Sequence, residues 1–93
     1  MPSQGKVVFH LNVDLTTTQR EVLPINPQRK YALLVNSSDA DCYISLGIPA
    51  VASQGILLKS GGGSYEINNT NLFDGRIYAV STGTTKRLSV TEY

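Results

Sequence analysis

Arg29-Lys30-Tyr31-Ala32-Leu33-Leu34-Val35-Asn36, then Ser37-Ser38-Asp39-Ala40-Asp41, then Cys42-Tyr43-Ile44-Ser45-Leu46: the reading of residues 29–46 decides the fold class. The first run is too short for a buried helix and rich in strand-forming side chains. Both of its faces are apolar, which places it centrally in a sheet. The Ser/Asp-rich middle is turn chemistry, because these side chains bond their own backbone. The third run alternates and reads as a returning strand, so the pair is expected to form a hairpin or meander.

Working downstream, Gly47–Gly55 reads as a loop and Ile56-Leu57-Leu58-Lys59 as a short strand. Gly61-Gly62-Gly63 reads as a hairpin loop that needs positive φ. Tyr65-Glu66-Ile67-Asn68 alternates again, and Asn69 to Gly75 is polar loop with Leu72 and Phe73 embedded. Arg76–Ser81 and Lys86–Glu92 are the last two strands, joined by a hairpin turn at Thr82-Gly83-Thr84-Thr85. Upstream, Pro24 and Pro27 break the chain, because each lacks an N–H and fixes φ. Arg20–Leu23 is a short strand, and Val7-Val8-Phe9-His10-Leu11-Asn12-Val13 alternates with Val7, Phe9, Leu11 and Val13 on one face. The whole predicts a single all-β domain, a β-sandwich or small barrel of about eight short antiparallel strands, jelly-roll-like in order. The expected core is Leu33, Val35, Ile44, Leu46, Ile67, Ile77, Ala79, Leu88 and Val90.

Composition narrows the function classes. Net charge is +1 and 16% of residues are charged, which gives no electrostatic footprint for nucleic acid and no polybasic patch for a membrane. Ser, Thr, Asn and Gln fill 27 of 93 positions, so the surface is polar through neutral groups that desolvate cheaply, which suits protein or sugar contact and equally any extracellular β-domain. The single cysteine, Cys42, excludes an intrachain disulfide and reads as a buried, inert thiol. Residues Met1–Lys6 carry no hydrophobic signal core, and no apolar run approaches the roughly 20 residues of a membrane helix. A chain this short buries only about 60 to 65% of its unfolded surface, so assembly is expected to add to its stability.

Residues able to do chemistry are sparse. His10, the only histidine, has no ligand or acid–base partner at a useful spacing and reads as a solvated side chain. Asp39 and Asp41, with Ser37 and Ser38, read as turn caps before they read as a cation site. Ser60-Gly61-Gly62-Gly63-Ser64 is followed by a strand-like run, and not by the helix and lysine of a phosphate loop. No metal, cofactor or catalytic residue is assigned. The chain is read as a non-enzyme.

Residues 23 to 92 resemble a type of small virion protein of tailed phages. The resemblance runs through Leu23-Pro24-Ile25-Asn26-Pro27-Gln28-Arg29, Val35-Asn36, Cys42-Tyr43-Ile44-Ser45-Leu46-Gly47 and Gly55-Ile56-Leu57-Leu58. It continues through Gly62-Gly63-Ser64-Tyr65-Glu66 and Gly75-Arg76-Ile77-Tyr78-Ala79-Val80-Ser81 and closes on Leu88-Ser89-Val90-Thr91-Glu92. It implies a capsid-decoration, head-fibre or tail component, made in the host cytoplasm and located in the virion. Its partners would be a capsid or other virion protein and further copies of itself, a trimer being favoured. It carries no site residues. A carbohydrate- or receptor-binding module of a tail or fibre is the alternative, through tyrosines and loops such as Asn68-Asn69-Thr70-Asn71.

The resemblance starts at Leu23, so residues 1–22 stand apart from the 23–93 core as an N-terminal arm or edge strand. The stripe Val7, Phe9, Leu11 and Val13 is too apolar to be left in water. It is the candidate interface, meant for the unpaired edge of a partner's sheet. The competing placement is the first strand of the chain's own sandwich.

Overall fold

The computed structural model describes residues 8–93, and Val7 of the candidate stripe lies outside them. Alternating apolar and polar residues build eight strands: β1 (Phe9–Leu15), β2 (Arg20–Leu23), β3 (Ala32–Asn36), β4 (Cys42–Leu46), β5 (Ile56–Leu58), β6 (Gly63–Ile67), β7 (Ile77–Ser81) and β8 (Lys86–Glu92). They form two four-stranded antiparallel sheets, ordered β1-β8-β3-β6 and β2-β7-β4-β5. The protein is an all-β sandwich. Strands pair from the outside of the sequence inward: β1 with β8, β2 with β7, β3 with β6, β4 with β5. This is one long hairpin rolled up into two sheets, the strand order of a jelly roll.

Rolling the hairpin overturns the local pairings that the turns suggest. The β3–β4 turn at residues 37–41, the glycine turn at 61–63 and the β7–β8 turn at 82–85 all carry the chain from one sheet to the other. None of them closes a hairpin. Among consecutive strands, only β4 and β5 are paired neighbours. The glycines do take positive φ, 76° at Gly61 and 124° at Gly62. At Gly63 a Cβ would lie 2.2 Å from the Lys59 nitrogen, so this corner has no room for a side chain.

The core is a single cluster between the sheets, including Leu15, Leu23, Leu34, Ile44, Leu58, Ile67, Ile77, Ala79, Leu88 and Val90. β3 does lie inside its sheet, between β8 and β6. Its expected facing is reversed: Ala32, Leu34 and Asn36 are buried, while Leu33 and Val35 sit half-buried on the outer face. A strand apolar on both sides does not define its own inward parity, and a one-residue shift exchanges the faces. Cross-strand partners decide it here, with Leu34 standing between Val90 and Tyr65. Asn36 can face inward because its amide is fully used. Nδ2 donates to the carbonyls of Ala40 and Leu58, and Oδ1 accepts from the Ser38 amide and hydroxyl. Leu46 packs at the margin of the core and not within it.

The segment before Leu23 is built into the same body. β1 pairs along its whole length with β8, and Leu15, Val22 and Leu23 belong to the core. Arg29 closes this end of the sandwich. Its side chain is 0% exposed, and Nε donates to Glu92 Oε2 at 2.6 Å. Nη1 donates to the carbonyls of Phe73 and Gly75, and Nη2 to that of Pro24. One guanidinium thus ties the loop after β2, the loop before β7 and the end of β8.

Candidate functional site

The register turns Phe9, Leu11, Val13 and Leu15 to the core side of the first sheet, opposite Glu92, Val90, Leu88 and Lys86. Burial then fades along the strand. Leu15 is 1% exposed, Val13 is half-buried against the core, Leu11 is 45% exposed and Phe9 55%. Val8, which the stripe on the other face does not include, is also exposed. The structure therefore brings Phe9, Leu11 and Val13 together on one strand and leaves Phe9 and Leu11 in solvent. Exposed apolar patches are a common mark of contact surfaces, which makes Phe9 and Leu11 the candidate site.

The edge beside this stripe differs from the other three sheet edges. β5 has three residues and runs straight into Lys59. β2 has four, carries an irregularity between Glu21 and Leu23, and ends at Pro24. On β6 the Glu66 carbonyl is taken by Asn71 Nδ2 at 2.9 Å, so the Asn68–Asn71 loop covers part of that edge. Short length, bulges, prolines, lysines and covering loops are the ways edge strands avoid pairing. β1 has seven residues in regular register, with no proline, lysine or bulge. Among the described residues no strand pairs with its outer side.

The remaining candidates are engaged locally. His10 Nδ1 lies 3.0 Å from Thr91 Oγ1 across the β1–β8 pair. Asp39 pairs with Lys86, which holds its carboxyl below the usual range. Asp41 accepts from the Ser60 amide at 2.8 Å and pairs with Lys59, with the same direction of shift. Cys42 is buried in the core, and desolvation pushes its thiol up to about 11, which keeps it protonated and unreactive. Tyr31 and Tyr93 stack with centroids 4.9 Å apart, and the Tyr31 hydroxyl donates to Glu66 at 2.7 Å, which raises its pKa. A small pocket of about 120 Å³ lies between Ser45 and the β4–β5 loop, lined by Ile48, Pro49, Val51, Gln54 and Gly55. The sequence reading missed the Arg29–Glu92 pair. An arginine after a proline turn and a glutamate at the chain's end give no local sign that they meet.

Comparison with protein-family models, with curated proteins and with solved structures finds no match.

Proposed function

We propose that this chain is a non-enzymatic structural protein of a tailed-phage virion, of the decoration type that binds and stabilises a capsid. The observation that carries the proposal is β1: a seven-residue edge that no described strand pairs with and that is open at His10 and Asn12, with Phe9 and Leu11 exposed beside it, on a sandwich whose other edges are short or partly covered. Such a strand gains by pairing with protein, and repetition on a symmetric shell multiplies a modest contact by avidity. The order of strand and turn signatures from Leu23 to Glu92 supports the phage assignment. Quantitative mass spectrometry of purified particles tests it. The chain should be present in many copies per particle, as a shell component is. Its absence from washed particles would end the proposal.

A carbohydrate-binding role is the second reading. The stacked Tyr31–Tyr93 pair stands beside Glu66 and the Asn68–Asn71 loop, a grouping of aromatic and amide groups of the kind that holds sugars. It ranks lower because Tyr31, Tyr65, Glu66, Asn68 and Asn71 already bond one another. Titration with a glycan panel by NMR should move Tyr31 and Asn68 resonances if this reading holds.

A further inference from the structure

We propose that two copies of this chain join edge to edge through β1, antiparallel, about a two-fold axis at Leu11. The inference rests on the assembly reading in one respect, that the outer edge of β1 is the working surface.

The hydrogen-bond phase of the first sheet shows what this edge offers. Tyr31 and Tyr93 exchange both backbone bonds, at 2.9 and 3.0 Å, so the odd-numbered residues of β8 bond toward β3. Its even-numbered residues then bond toward β1, where they face Phe9, Leu11, Val13 and Leu15. Val8, His10, Asn12 and Asp14 must therefore turn their N–H and C=O groups to the outer edge. The Asp14 carbonyl does so, and accepts there from Arg20 Nη1 at 3.2 Å. The backbone of His10 and Asn12 is the stretch that can take a new strand.

The occupant that fits this stretch is a second copy of it. With the axis at Leu11, His10 of each copy faces Asn12 of the other and exchanges backbone bonds. Leu11 faces Leu11, and Phe9 faces the half-buried Val13. On the outer face His10 meets Asn12 and Val8 meets Asp14, and on the core face apolar side chains meet apolar ones. No like charges oppose each other, since Asp14 stands across from Val8. Shifting the axis by one residue toward the N-terminus sets His10 against His10. Shifting it toward the C-terminus replaces both His10–Asn12 pairs by His10–Asp14 pairs, which need the Asp14 carbonyl that Arg20 occupies, whereas with the axis at Leu11 that carbonyl enters only in the outermost Val8–Asp14 pairs. A strand that pairs with itself antiparallel closes at two subunits, so this edge makes a dimer and not the trimer favoured by the sequence resemblance.

Sedimentation and cross-linking of the full chain test the proposal. The native protein should sediment at twice 10.1 kDa. Asn12→Pro removes an outward N–H at an edge strand, where proline is tolerated, and leaves the β8 ladder intact. It should keep the native circular dichroism and sediment as a monomer. Leu11→Cys places two thiols in a pair that is not hydrogen-bonded, with Cα atoms about 4.5 Å apart, within disulfide reach. It should cross-link fully with oxidised glutathione as oxidant. A monomeric or trimeric native protein, a dimer that survives Asn12→Pro, or a Leu11→Cys protein that does not cross-link would overturn the pairing. If Asn12→Pro fails to fold, the cysteine variant decides. Particle content of the native chain is a separate readout: a monomer that is still abundant in washed particles would sink the pairing and leave the virion reading intact.

Discussion

At one end of the first sheet's β1–β8 pair, the two strands invert the usual distribution of polarity in opposite ways. On β8 and the loops beside it, a guanidinium and a carboxylate are buried, and Nε, Nη1 and Nη2 of Arg29 each donate to an oxygen. On β1, directly across the register from Glu92, a phenylalanine stands more than half in solvent. A buried polar group whose partners are complete is explained by the fold it holds together. An apolar group that no described residue covers is not, and so it directs attention to a partner. The contrast separates what stabilises this protein from what it has left to offer.

Breaking the buried side should have the largest effect. Arg29→Ala strips Glu92 of its cationic partner, leaving it only Asn26 Nδ2 at 3.2 Å, takes the Arg29 donors from three loop carbonyls, and should lower stability by about 3–5 kcal/mol. A denaturant midpoint close to the native one would show that the pair is dispensable. Next comes β3, where Leu34→Ala should cost about 2–5 kcal/mol and Leu33→Ala about 1 kcal/mol or less. Equal losses in urea melts would mean that the inward parity of β3 is the reverse of that described.

The exposed ion pairs should act more weakly than the buried one, and through pH. Asp39 and Asp41 have folded pKa values below 3.8. Their stabilisation is therefore complete above the unfolded value and is lost as pH falls through the folded values. Melts taken downward from neutral pH should show a loss at acid pH that the double variant Asp39→Asn/Asp41→Asn reduces. An unchanged pH profile in that variant would remove these carboxylates from the account. The smallest effect on folding belongs to the stripe. Phe9→Ser and Leu11→Ser should change the stability of the isolated subunit by about 0.5 kcal/mol or less, while abolishing assembly measured by sedimentation. A large loss of fold stability would place them in the core.

Strand positions were legible because they depend on local pattern. Arg20–Leu23, Cys42–Leu46 and Lys86–Glu92 fall where period-two alternation and turn residues put them. The shared face of Phe9, Leu11 and Val13 was legible for the same reason, as was the positive φ of Gly61 and Gly62, whereas Asp41 caps the amide of Ser60 in a distant turn and not its own. Which strands pair was not legible. A Ser/Asp turn between two apolar runs looks alike whether it closes a hairpin or carries the chain between sheets, and here it does the second.

From its sequence alone, this protein is determined to be all-β, with about eight strands, one core and an apolar stripe near its N-terminus. Those are properties of alternation over a few residues. The tertiary structure alone decides that β1 lies beside β8 and so has an outer edge, that Leu34 and not Leu33 faces inward, and that Arg29 meets Glu92. Each of these joins residues far apart in the chain. Period two specifies two faces but not which is inside, and only the partner across the sheet makes that choice.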